Sequence, residues 1–223
     1  MCFHNSLTAS SITLKNRYMI TNSEPEVDSF EPSEEINAFD HSLSPIVAEG
    51  NCLRAMHWGM IPEWVYSEIR ARELKKQTLN AMAETALSKP SFISAIQHKR
   101  CLIPSTGFYE WQTKGKEKRK YKIQMKNSEI FSIAGMFDCW KNPITNTVWW
   151  GFSVLTCPAN PLMAEIHNTK KRMPVLLLPE HESLWLNHES EAWKSLMKPI
   201  SDTHIEAIPL SHFIDVVQGS LFD

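Results

Sequence analysis

Arg100-Cys-Leu-Ile-Pro-Ser-Thr-Gly-Phe-Tyr-Glu-Trp111 is followed by a basic turn at Lys114-Gly115-Lys116 and then by Tyr121, Ile123 and Met125, spaced two apart. Period two puts alternate side chains on one face of a strand, and two such runs around a glycine turn predict a β-hairpin. Working outward, residues 130–140, 148–156 and 172–178 read as further strands. Upstream, residues 54–59 read as a strand ending at Gly59, and Pro45-Ile46-Val47 as a short strand within 36–49. Helices fall at the margins. Residues 6–19 bring Leu7, Leu14 and Tyr18 to one side. Residues 63–77 are polar, with Pro62 suited to a first helical position. A helix from Pro90 carries Phe92, Ile93 and Ile96, and a helical tail from Pro179 carries Trp185, Trp193 and Leu196. Residues 22–35 are acidic, hold two prolines and read as loop. Strands in succession with helices flanking them predict an α+β fold with largely antiparallel sheet.

At 223 residues, 43% hydrophobic, the chain suits one domain spanning 1–223 with a sizeable core. No apolar run is long enough to span a bilayer, and the start, Cys-Phe-His-Asn-Ser, has no signal-peptide pattern. Five cysteines (Cys2, Cys52, Cys101, Cys139, Cys157) with no CxxC pair predict a reduced, cytoplasmic protein without disulfides, metal or cofactor. The net charge of −2 hides an asymmetry. Residues 51–126 hold 15 basic and 6 acidic groups, while residues 1–50 hold 2 and 8. The middle of the chain can therefore present a positive face to phosphates, or simply solvated surface charge.

Chemistry is most concentrated at the start, Met1-Cys2-Phe3-His4. Trimming of Met1 would place a thiol and an α-amine on neighbouring carbons. Unperturbed, these titrate near about 8.5 and about 7.7–8.0, so both have reactive fractions near neutrality. An amine condenses with an aldehyde, and the adjacent thiol can then close a five-membered thiazolidine. An N-terminal nucleophile can also attack an amide with its own amine as base.

Four other stretches carry candidate groups. Asn80, within Thr78-Leu-Asn-Ala-Met-Ala-Glu-Thr85, suits a turn or cap, or the orientation of an amine or carbonyl. Glu110 in Gly107-Phe-Tyr-Glu-Trp111 either faces solvent or, if buried, gains a raised pKa fit for proton transfer near pH 7. His167 precedes a strand and is the imidazole best placed to serve it. Arg172 can grip a phosphate or carboxylate through its planar fork, or make a plain ion pair. Trp64, in Trp58-Gly-Met-Ile-Pro-Glu-Trp64, packs in the core or stacks on a base. The run Lys114 to Lys120 lacks P-loop spacing and reads as a basic turn.

Taken in order, Met1-Cys2, Trp58–Trp64, Asn80-Ala-Met-Ala-Glu-Thr85, Arg100–Trp111 and His167 through Arg172-Met-Pro-Val175 resemble the SOS-response-associated peptidase family. The resemblance implies a barrel-like α+β domain with a DNA-binding cleft, acting as a monomer. It implies that Cys2, freed of Met1 by the protein itself, crosslinks abasic sites in single-stranded DNA. By position, Asn80 orients the Cys2 end, Glu110 and His167 move protons, and Trp64 and Arg172 line the DNA path. Four features depart from the family pattern. The start is Met-Cys-Phe-His where Met-Cys-Gly-Arg is usual, residues 36–47 match the family's early proline-containing segment poorly, Met82 stands where Arg is usual, and residues 168–171 separate His167 from Arg172.

Overall fold

Residues 100–111 are the turning point between two sheets. The computed structural model of the chain describes residues 2–210 and 214–215. The elements before this point are strand β1 (His4–Leu7), helix α1 (Ser11–Arg17), β2 (Asn22–Ser23), α2 (Pro25–Asp28), β3 (Ser33–Asn37), β4 (Leu43–Ala48) and β5 (Cys52–Trp58). Then come α3 (Glu68–Gln77), β6 (Asn80–Met82), α4 (Ala83–Ala86) and α5 (Ile93–His98). Next are β7 (Arg100–Ser105), β8 (Gly107–Lys114), β9 (Glu117–Met125), β10 (Phe131–Lys141) and β11 (Val148–Pro158). Last come α6 (Pro161–Ile166), β12 (Arg172–Pro174), β13 (Leu176–Leu177), α7 (Pro179–Leu186), β14 (Ile205–Pro209) and β15 (Ile214–Asp215).

The expected hairpin is β8–β9, antiparallel from Phe108↔Ile123 to Lys114↔Glu117. It forms a six-stranded sheet with β1, β3, β14 and β15. The second sheet runs β12-β11-β10-β7-β4-β5-β2, and β11 also pairs with β5. That last pairing closes β11, β10, β7, β4 and β5 into a five-stranded barrel, as expected of the family. The closing pair is parallel, as are β6 on β11 and β2 on β5, so the sheet is mixed. Closure brings two glycines together. A Cβ on Gly151 would lie 2.4 Å from the Gly59 carbonyl oxygen, and Gly59 itself has φ +120.

Barrel and flanking helices share one core, in which Trp58, Phe131, Phe152 and Trp185 are buried. Arg100 bolts the helices on. Its buried guanidinium donates to the Ile96, Gln97, Trp185 and Asn187 carbonyls and lies over the Trp193 ring. Burial lowers its pKa to about 10, and the carbonyls satisfy its donors where no carboxylate does.

Four expectations need correction. The helix expected over 6–19 is a strand followed by a helix. Ser10 caps α1 by accepting from the Thr13 amide, while residues 4–7 pair with β3 and β8. The loop expected over 22–35 holds β2, α2 and the start of β3. Pro62 does not begin a helix. The Glu63 amide is taken by the Asp138 carboxylate, and α3 starts only after its cap, Ser67. The helix expected from Pro90 begins at Ile93. Among the described residues no helix is long and apolar enough to cross a membrane.

Candidate active site

The start of the chain meets Glu110 because β1 lies antiparallel to β8. Asn5 faces Phe108 and Ser6 faces Gly107, so the same register carries residue 3 to Glu110. The Asn5 amide donates to the Pro104 carbonyl at 3.1 Å, and the Ser6 and Thr106 hydroxyls meet at 3.1 Å, fixing that register. Cys2 is fully buried. Burial first, and then the Glu110 carboxylate, pushes its thiol up to about 12. Glu110 is 4% exposed, and burial raises its carboxyl to about 7. The group therefore divides between acid and base near neutrality.

His167 ends α6, which starts at its cap Asn160 and at Pro161, a ring suited to the first turn. The four residues separating it from Arg172 close as a turn. The Lys171 amide donates to the His167 carbonyl at 2.8 Å, with Lys171 left-handed at φ 49. Asn168 ties this turn to β8, accepting from the Thr113 amide and donating to the Thr113 carbonyl. The turn delivers the Arg172 peptide to the imidazole. His167 Nδ1 lies 2.8 Å from the Arg172 carbonyl oxygen and 3.1 Å from its amide nitrogen. The backbone of one residue thus offers this nitrogen an acceptor and a donor, so both neutral tautomers are accommodated without moving the ring. Nε2 lies 3.9 Å from Glu110 Oε2. Burial, then the N-terminal amine and more weakly the Lys170 and Arg172 cations, lowers the His167 pKa, so the ring is neutral at pH 7.

Asn80 lies on β6 beside Val154 of β11. Both polar atoms of its side chain are buried without a hydrogen-bond partner among the described residues. An unpaired buried amide costs about 1–3 kcal/mol, and such an arrangement favours a ligand that supplies the missing partners. On the opposite edge of β11, Arg172 turns inward and is 9% exposed. Its guanidinium makes a two-pronged ion pair with Glu84, and Nη2 also donates to the Thr156 carbonyl at 2.7 Å. A phosphate on Arg172 would have to compete with Glu84. Trp64 sits in the loop before α3, 43% exposed, with a face open to stacking.

A pocket of about 440 Å³ opens onto Glu110 and His167, lined also by Phe3, His4, Phe39 and Trp111, with Lys118 and Lys170 at its polar margin; Cys2, Asn80, Trp64 and Arg172 do not line it. A similar cavity of about 460 Å³ is lined by Glu26, Glu31, Glu35 and Asp40 and holds neither Glu110 nor His167, so chemistry selects the smaller one. The expected positive face is partly neutralised. Arg54, Lys120 and Lys122 pair with Glu24, Glu35 and Glu34 of the acidic first segment. His4, where the family usually has Arg, pairs with Glu35 at 2.9 Å. All five cysteines are free. Among the described residues no group of His, Cys, Asp and Glu side chains gathers as a metal site. Sequence reasoning gave no role to Glu84 or Asn168. Their partners lie 88 and 55 residues away, and no local pattern marks them.

Known proteins resemble this chain in sequence and in fold. The abasic site processing protein YoqW of Bacillus subtilis (strain 168) is 33% identical over 200 residues, 85% of this chain and 86% of its own. The abasic site processing protein HMCES of Gallus gallus is 28% identical over 188 residues, 75% of this chain and 55% of its own. The crystal structure of a Bacteroides thetaiotaomicron protein superimposes with a TM-score of 0.91 at 40% identity, covering 95% of this chain and 93% of that one. The family model for SOS response associated peptidase (SRAP) matches residues 1–217. With a match over nearly its whole length, the chain belongs to the SOS response associated peptidase family.

Proposed function

We propose that this protein captures abasic sites in single-stranded DNA through a thiazolidine at Cys2, after hydrolysing its own Met1–Cys2 bond. The observation that carries the reading is a carboxyl near pKa 7 and a neutral imidazole at one pocket, with the buried Cys2 thiol behind it close enough to feel the Glu110 charge. The names of the relatives, abasic site processing proteins, support the substrate class.

The chemistry follows from the protonation states. An abasic deoxyribose is mostly a closed hemiacetal. Opening it takes a proton from the anomeric hydroxyl, for which neutral His167 is the base, and delivers one to the ring oxygen. The Cys2 amine then attacks the exposed aldehyde, and protonated Glu110 helps expel water to leave an imine. The thiol, held neutral by burial, adds second. Its sulfur bonds to the imine carbon, its proton goes to the nitrogen, and the ring closes with one water lost overall. The unpartnered Asn80 amide orients the amine or the departing hydroxyl. Trp64 and the lysines at the pocket margin guide the strand.

Intact mass after mixing with an abasic single strand tests this. The expected species is protein beginning at Cys2 plus the strand, less one water. Cys2→Ala should form none, and the variant with Cys52 and Cys139 replaced by Ser should react normally. An adduct that persists in Cys2→Ala would sink the reading.

A further inference from the structure

We propose that Glu84 is a positioning residue for His167, acting through Arg172, and that the Arg172 guanidinium is a clamp inside the fold and not a phosphate contact. The kinetic arm of the test below rests on the abasic-capture reading; the spectroscopic arm does not.

Thr156 of β11 lies between two strands, paired with Met82 of β6 on one edge and with Pro174 of β12 on the other. The Arg172 guanidinium spans this point. It reaches Glu84 on α4, just past β6, and the carbonyl and hydroxyl of Thr156. The Thr156 hydroxyl in turn donates to the Ala81 carbonyl at 3.0 Å, next to Asn80. The peptide of the same arginine holds His167 Nδ1. One residue therefore links the segment carrying Asn80 to the imidazole across a single strand.

β12 is three residues long and follows the left-handed Lys171. An exposed ion pair would matter little. Here the arginine is largely buried, and losing its carboxylate leaves a desolvated cation with unmet donors. A planar fork can serve Glu84 and Thr156 together, which a lysine point charge cannot. Freed from Glu84, the guanidinium moves and takes the Arg172 peptide with it, and the ring loses its fixed bearing on Glu110.

The test is NMR titration of the His167 imidazole in free protein carrying Glu84→Ala or Glu84→Gln, with folding checked by thermal melting. The ring titrates among the N-terminal amine, Glu110, Lys170 and Arg172 in every variant. In Glu84→Ala its midpoint should shift away from the wild-type value as the ring loses its fixed place between Glu110 and the Arg172 backbone. Glu84→Gln, which keeps one acceptor, should fall between. With abasic strand, Glu84→Ala should slow single-turnover capture about tenfold to a hundredfold, as small misplacements do. The acid limb of its pH profile should follow the His167 midpoint. Affinity for an undamaged strand should stay unchanged. If Glu84→Ala does not fold, Glu84→Gln decides alone. An unmoved His167 midpoint in a folded variant overturns the proposal. So does tighter binding of undamaged DNA, which would mean that the released arginine meets phosphate. If wild type forms no adduct, the capture reading fails while the His167 titration still decides this one.

Discussion

Glu110 carries a cost that can be measured without DNA. Its carboxyl is raised from 4.5 to about 7, chiefly by burial. A folded-state pKa above the unfolded one favours the fold below the unfolded value, and that advantage is lost as pH rises through the folded value. Between roughly pH 4.5 and 7 the ionising carboxylate should therefore withdraw about 3 kcal/mol of stability. We predict that Glu110→Gln is more stable than wild type above pH 7, and that the gain fades toward pH 4.5. Chemical denaturation of both proteins across that range checks it, and a constant difference would show that Glu110 is not strained by burial. At this scale the sequence was informative. Aromatic neighbours in a strand hinted that Glu110 would be buried, and the break before a strand singled out His167. It could not reveal that Arg172 faces inward, because Glu84 and Thr156 are distant in sequence and meet it only once β6 and β12 flank β11.

Strand β11 does most of the positioning. Along one edge it takes β5 at Gly151 and Phe152, then β6 at Val154 to Thr156. Closing the barrel and placing Asn80 are thus adjacent events on one edge. The seam depends on a missing side chain, since a Gly151 Cβ would also lie 3.0 Å from the Met60 Cα. We predict that Gly151→Ala destabilises the protein by about 2–4 kcal/mol, in the range of severe overpacking, with loss of activity following loss of fold. A conservative change at exposed Gly50, where no atom lies within 4 Å of a new Cβ but φ is +74, should cost only about 1 kcal/mol. Equal unfolding midpoints for Gly151→Ala and wild type would contradict the seam. Among elements, the β8–β9 hairpin was legible because its turn and alternation are local. β1 was misread as helix because its partners, β3 and β8, lie about 30 and 100 residues away. The start of α3 was misplaced because a carboxylate from β10 takes the amide after Pro62.

At the scale of the molecule, charge counts along the chain overstated the positive face, since the acidic first segment folds back to pair with the basic middle. Pairing at that range is invisible to composition. The same long reach governs how the molecule comes together. The hydrogen bonds that seat β1 join residues 99 and 100 apart, and folds rich in such distant pairings assemble in milliseconds to seconds. The barrel strands from β7 to β11 are joined consecutively or nearly so, whereas β1 must bridge the whole first half of the chain. On this reasoning Cys2, the nucleophile of the proposed function, is enclosed late. During refolding, pulse alkylation should find Cys2 open after the interior cysteines Cys101 and Cys157 have closed. Simultaneous protection of all three would mean that the first strand docks with the barrel. Until β1 docks, the Cys2 thiol has no carboxyl, imidazole or pocket around it and stands open to any soluble electrophile in its surroundings.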